Sequence, residues 1–220
     1  MKKKIQDIIN SSNFIFEEYL EDNENKFYTF YKDYDGIVLN KNIPNLNQYE
    51  LTNVCFEKYS NLDKLGRCGQ VTACIGREKL INKKRAYIGY IFPSGWHSFK
   101  YNCIKGKYLY NRCHLIGHQL GGQDIKNNLI TGTRYLNVSQ MLPFENAIAG
   151  YCKTTNKHVM YRVTPIYEYN DLVAHGILLQ ALSVEDCGEG VCFNIYLYNR
   201  QQGIDINYET GESNATGKSN

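Results

Sequence analysis

The feature that most constrains this 220-residue chain is the position of one helical stretch among short β-like runs. A helix is expected from about Leu142 to Thr155, with Pro143 where a first turn tolerates it. Before it come β-like runs near 70–75 (QVTACI), 86–92 (AYIGYIF, ending at Pro93-Ser-Gly) and 107–111. After it come 158–167 (HVMYRVTPIY), 175–184 (HGILLQALSV) and 191–198 (VCFNIYLY). Strands thus precede and follow one central helix, which is an α+β pattern rather than an alternating βαβ one. The 19 tyrosines agree, since tyrosine suits half-buried sheets and wet surfaces.

Three regions are expected. Residues 1–28 read as a charged helical arm, with Ile5, Ile8 and Ile9 on one side. Residues 29–208 form the main domain. Residues 209–220, ending GESNATGKSN, are expected to be a disordered tail. No run reaches the length of a membrane helix. The start MKKKIQDIINSSNFIF has the positive end of a signal peptide, but Gln6, Asp7, Asn10, Ser11 and Ser12 break its apolar part. It is a poor export signal.

The net charge of +3 hides an uneven distribution. Residues 29–182 hold 19 basic and 10 acidic side chains, whereas both ends are acidic. Between Arg77 and Arg134, eleven Lys or Arg face only Glu78 and Asp124. Such a field favours a polyanionic partner, because each phosphate contact releases counterions. A solvated basic loop is the plainer reading. The eight cysteines form no CxxC pair, so a zinc ribbon is not expected, and free thiols are the simpler state for a chain of this size.

Chemistry concentrates in YLYNRCHLIGHQLGG, NNLITGTRYLN and MLPFENAI. A β-like run ends at Asn111-Arg112-Cys113-His114. Asn127 and Asn128 sit in the next loop, Asn137 at the approach to the helix, and Glu145 inside it. Phosphodiester hydrolysis needs such parts. Neutral imidazole takes a proton from water near pH 7. Mg²⁺ takes oxygen ligands, keeps several waters and needs only one or two protein groups. An arginine holds a phosphate oxygen at two points.

The segment resembles the DNA/RNA non-specific endonuclease family among the ββα-metal (His-Me finger) nucleases, whose hallmark is Asp-Arg-Gly-His at the end of a β-hairpin. Asn128, nine residues before Asn137, and Glu145, eight after it, reproduce the family's spacing. NLDKLGRCG (61–69) and PSGWHSFKY (93–101) look like the streptococcal-type secreted branch, and the likeness runs from about 30 to about 208. It implies a central antiparallel sheet with a metal-binding helix, and a secreted enzyme that cuts DNA and RNA without sequence preference. It implies His114 as general base, Asn137 as direct Mg²⁺ ligand (Mn²⁺ able to substitute) and Glu145 orienting a metal-bound water. Asn128 and Arg112 would steady the site and the phosphate.

Three positions depart from the family. Asn111 replaces Asp, Cys113 replaces Gly, and Ala149 stands where many relatives carry arginine. Arg67 and Arg134 are then the candidate transition-state cations.

Plainer readings stand beside these. Asn137 could cap the helix. Arg112 could pair with Asp124. Lys83-Lys84-Arg85 could be a solvated turn or a phosphate contact, and Trp96 a core residue or a stacking platform. The main alternative is a non-catalytic nucleic-acid-binding protein on the same scaffold. A third is a zinc module built on Cys113, His114 and His118. No base-reading helix motif is present, so contact through the phosphate backbone is expected.

Overall fold

The computed structural model describes residues 35–82 and 86–216. The expected arm at 1–28 and the Lys83-Lys84-Arg85 run lie outside them.

Ten strands and one α-helix are described. They are β1 (Gly36–Val38), β2 (Phe56–Tyr59), β3 (Val71–Ile75), β4 (Tyr110–His114), β5 (Leu129–Thr133), α1 (Leu142–Thr155), β6 (Val159–Ile166), β7 (Gly176–Ser183), β8 (Cys192–Tyr198), β9 (Ile204–Ile206) and β10 (Ser213–Ala215). Six strands form one antiparallel sheet in the order β1-β8-β7-β6-β3-β2, while β4 with β5, and β9 with β10, form separate ribbons. This is the expected α+β architecture.

Period-2 alternation builds the core. Val71, Ala73 and Ile75, Val159, Tyr161 and Val163, Ile177, Leu179 and Ala181, and Phe193, Ile195 and Leu197 all belong to one buried cluster. The helix α1 adds Phe144, Ile148, Ala149 and Cys152 to it, and Phe144 meets Phe193 edge-to-face at 5.0 Å. The 40–50 segment covers polar groups on intervening strand positions. Arg162 donates to the Asn45 carbonyl at 3.0 Å and to Glu50 at 2.8 Å, and Asn194 donates to the Ile43 carbonyl at 2.8 Å.

Three expectations change. The run 86–92 is a loop, not a strand, and leaves Tyr87, Tyr90 and Phe92 exposed. Its aromatic and β-branched content gave a strand signal that no partner strand takes up. Residues 129–133, not among the expected strands, form β5. The expected disordered tail is built into the fold through residue 216. There β10 pairs with β9, and the Gly211 carbonyl accepts from buried Tyr110 at 3.0 Å. All eight cysteines are free thiols. No described helix is long and apolar enough to cross a membrane.

Candidate active site

β4 and β5 pair with Asn111 opposite Gly132 and His114 opposite Leu129. Arg134 then opens a π-helical stretch, Tyr135–Met141, which runs directly into α1. A π-turn holds more residues than an α-turn, so it resets the direction in which its side chains leave the backbone, and such turns gather at functional sites. Asn111, Arg112, His114, Asn137 and Glu145 therefore all lie on one β-β-α unit.

Asn137 is half-buried and donates its Nδ2 to Asn111 Oδ1 at 3.0 Å. It is not a helix cap. The backbone is already helical at Arg134, and neither helical segment has a side-chain cap hydrogen bond. With its amide nitrogen committed to Asn111, its oxygen is the group oriented elsewhere.

His114 is 5% exposed, and its Nε2 lies 2.7 Å from Asp124 Oδ1. Asp124 thus partners His114 rather than Arg112. It reaches the histidine from the loop 115–128, which Asn128 holds in shape. Fully buried, Asn128 accepts from the Ile116 amide at 2.9 Å and donates to the Ile116 and Gln123 carbonyls, each at 3.0 Å. Its amide is used on backbone, which makes it a positioning residue for the loop that carries Asp124.

Arg112 is placed differently from expectation. It donates to the carbonyls of Ile91 at 2.5 Å and Gly89 at 2.6 Å, and its guanidinium lies 4.1 Å from the Trp96 ring centroid. Burial lowers its pKa. It clamps the 86–96 loop, and Trp96 serves as the face it stacks on.

Of the two candidate cations, Arg67 is engaged. It bonds Asp63 at 2.6 Å and the Tyr169 and Asp171 carbonyls at 2.8 and 3.0 Å. Arg134 lies three residues before Asn137, with its guanidinium carbon 3.4 Å from where a Cβ at Gly106 would stand. Ala149 is 4% exposed inside the core, so no cation replaces the family's arginine there.

Glu145 is 8% exposed, on the first turn of α1. A Cβ at Gly117 would stand 2.6 Å from its carboxylate carbon and from both oxygens. Gly117 leaves room for the carboxylate against the loop that follows His114, and a side chain there would have to displace it. Cys113 sits in ordinary strand backbone. Its side chain fills space that a Cβ at Gly132 would enter, at 2.5 Å, and its thiol meets Met141 sulfur at 3.4 Å. The thiol thus faces the core. Strand alternation sends His114 the other way, so Cys113, His114 and His118 do not share an ion.

Sequence reasoning missed Asp124 and Gly117 as parts of the site. Asp124 had one visible signal, as one of two acids in a strongly basic stretch.

Comparisons with known proteins agree with this unit. The family model for DNA/RNA non-specific endonucleases matches residues 45–184. A curated deoxyribonuclease from Streptococcus dysgalactiae subsp. equisimilis is 33% identical over 118 residues, which is 49% of this chain and 35% of that protein. The chain thus spans about a third of that relative's length. Among solved structures, the Sda1 nuclease with bound zinc has a TM-score of 0.63 at 28% identity, covering 71% of this chain and 79% of that one. NucA from Streptococcus agalactiae, solved without metal, has a TM-score of 0.71 at 26% identity, covering 82% and 87%. The magnesium-bound NucA structure has a TM-score of 0.76 at 23% identity, covers 98% and 97%, and matches in fold. With a family model spanning most of the chain, and with β4, β5 and α1 arranged as one β-β-α unit, the protein belongs to the DNA/RNA non-specific endonuclease family.

Proposed function

We propose that this chain is a divalent-metal-dependent endonuclease that hydrolyses phosphodiester bonds in DNA and RNA without sequence preference. The carrying observation is that a carboxylate-paired His114, an Asn137 amide held by Asn111 and a buried Glu145 all lie on one β-β-α unit.

The donors suit a hard cation. Asn137 and Glu145 offer oxygen only, and the carboxylate is held in a glycine-made recess. Asn137 would be the direct ligand, and Glu145 the carboxylate that fixes water around the ion. When bound, Mg²⁺ (or Mn²⁺) would neutralise charge developing on the phosphate and the leaving oxygen. The zinc in Sda1 and the magnesium in NucA support metal use by this scaffold.

The remaining steps belong to the chain. With Nε2–H donated to Asp124, the imidazole of His114 carries its lone pair on Nδ1, and that atom takes the proton from the attacking water. Asp124 then stabilises the imidazolium. Arg134, one turn before Asn137, is the cation assigned to the phosphate in the transition state. Arg112 acts indirectly, by fixing the 86–96 loop.

Plasmid nicking with and without Mg²⁺ tests the reading. Cleavage is expected to stop with EDTA and return with excess Mg²⁺ or Mn²⁺. His114→Ala should lose about 10²–10⁴-fold while retaining fold and DNA binding. DNA binding without cleavage by the parent chain at any Mg²⁺ concentration would instead identify a non-catalytic binding protein.

A further inference from the structure

A second group of metal-ligating side chains gathers at one edge of the six-stranded sheet. Cys55 stands just ahead of β2, Glu78 in the short turn after β3, and His158 just ahead of β6. Antiparallel register brings them together. Phe56 pairs with Cys74, Ile75 with Val159, and Val159 with Ser183, so the start of β2, the end of β3, the start of β6 and the end of β7 share that edge.

Cys55 Sγ lies 3.0 Å from Glu78 Oε1, and His158 Nε2 lies 3.2 Å from the same oxygen. One ligand atom from each of the three residues falls within 4.8 Å of the others. Around tetrahedral zinc, with bonds of about 2.0–2.3 Å, neighbouring ligand atoms stand roughly 3.3–3.5 Å apart. A small outward shift would admit such an ion.

Two further observations point the same way. His158 is held from behind by Glu185, which accepts from Nδ1 at 2.6 Å and from the His158 backbone amide at 2.8 Å. A neutral histidine donating Nδ1–H to a carboxylate presents its Nε2 lone pair forward, which is how metal-ligating histidines are usually oriented. The second is Gly76. A Cβ there would stand 2.7 Å from His158 Nε2 and 2.6 Å from Glu78 Oε2. Its φ of −120° and ψ of 174° are open to any residue, so glycine is needed for space rather than conformation. The recess between the two donors exists because no side chain fills it.

We propose that Cys55, Glu78 and His158 form a second divalent-metal site for a zinc-like ion, which ties β2, β3 and β6 together at the edge of the sheet. Sulfur, imidazole and carboxylate together suit zinc better than magnesium. Three protein ligands leave a fourth position for water. Glu145 lies in the first turn of α1 and His158 beyond its last residue. The two groups thus lie at opposite ends of α1, whose ten-residue rise from Glu145 to Thr155 is about 15 Å. The ion therefore acts on stability and takes no part in phosphodiester cleavage. The competing arrangement has no ion and holds a protonated His158 between Glu78 and Glu185.

Cobalt and zinc distinguish the two. The full chain, stripped by chelator, is titrated with Co²⁺. A thiolate-to-cobalt charge-transfer band is expected, kept in Asn137→Ala and lost in Cys55→Ser. Zinc should raise Tm in a concentration-dependent way for the parent and not for Cys55→Ser or Glu78→Gln, because an ion that binds only the folded state stabilises it by mass action. Mg²⁺-dependent nicking by Cys55→Ser should match the parent. Should Cys55→Ser fold poorly, alkylation of the parent reads the same site, with Cys55 protected several-fold by zinc. Absence of the band, its persistence in Cys55→Ser, or alkylation of Cys55 unaffected by zinc would overturn the proposal in favour of the ion-free clamp.

Discussion

The side-chain amide of Asn137 donates to Asn111 Oδ1 across 3.0 Å, joining the π-helical turn to the strand that ends in His114. The family's aspartate at position 111 would accept the same hydrogen bond, so Asn111 keeps the contact and gives up only a charge. The contact fixes which atom of Asn137 turns away from the strand.

Asn137 is therefore expected to respond to substitution in a definite order. Asn137→Asp retains an oxygen and should keep partial activity, while Asn137→Ala should lose far more, with circular dichroism unchanged. Asn111→Asp should remain active, whereas Asn111→Ala should raise the Mg²⁺ concentration needed for cleavage by releasing the Asn137 amide. Nicking rates across a Mg²⁺ titration check this. An Asn137→Ala variant with the parent's rate and an unchanged Mg²⁺ titration would remove Asn137 from the metal site.

Asp124→Asn should cut activity by up to about 10⁴-fold, the cost of removing the carboxylate behind a general-base histidine. Because a carboxylate favours the charged imidazole, its removal should also move the acid limb of the pH–rate profile to lower pH. An unchanged profile would mean that Asp124 has only a structural role.

Lys105 and Lys107 are exposed in the turn that precedes β4. If they meet phosphates, Lys105→Ala and Lys107→Ala together should weaken DNA binding. The slope of log affinity against log salt should shallow by up to about 0.9 per lost contact. Parallel salt plots for variant and parent would place the phosphate track elsewhere.

Asp186 gives a prediction about acid stability. Burial alone would raise its carboxyl, but hydrogen bonds from Ser183, Tyr151 and Lys157 bring it down to about 2. The folded value lies below the unfolded one of about 3.9, so the stabilisation is present above pH 4 and lost as pH falls towards 2. A shift of this size corresponds to about 2 kcal/mol. Urea melts at pH 6 and pH 3 should show Asp186→Asn losing less stability on acidification than the parent. Equal losses would show that the cluster contributes nothing.

Much of this protein was legible in order along the chain. The helix from Leu142 to Thr155 and strands β3, β6, β7 and β8 follow from local periodicity and a first-turn proline, because a face that must be buried imposes its spacing on the sequence. The Asn-Arg-Cys-His motif, Asn137 and Glu145 stood out as candidates through residue type and through likeness to the family's spacing. Tertiary structure decided the rest. Whether 86–92 pairs as a strand depends on a partner that periodicity cannot reveal, and Arg112 clamps that segment instead. That Asn137 is no cap depends on a π-turn, which has no strong sequence signature. Asp124 meets His114, and Cys55, Glu78 and His158 meet each other, only because loop closure and strand register bring distant segments together. Local sequence sets the propensity of each element, and burial of one shared core sets which of them touch.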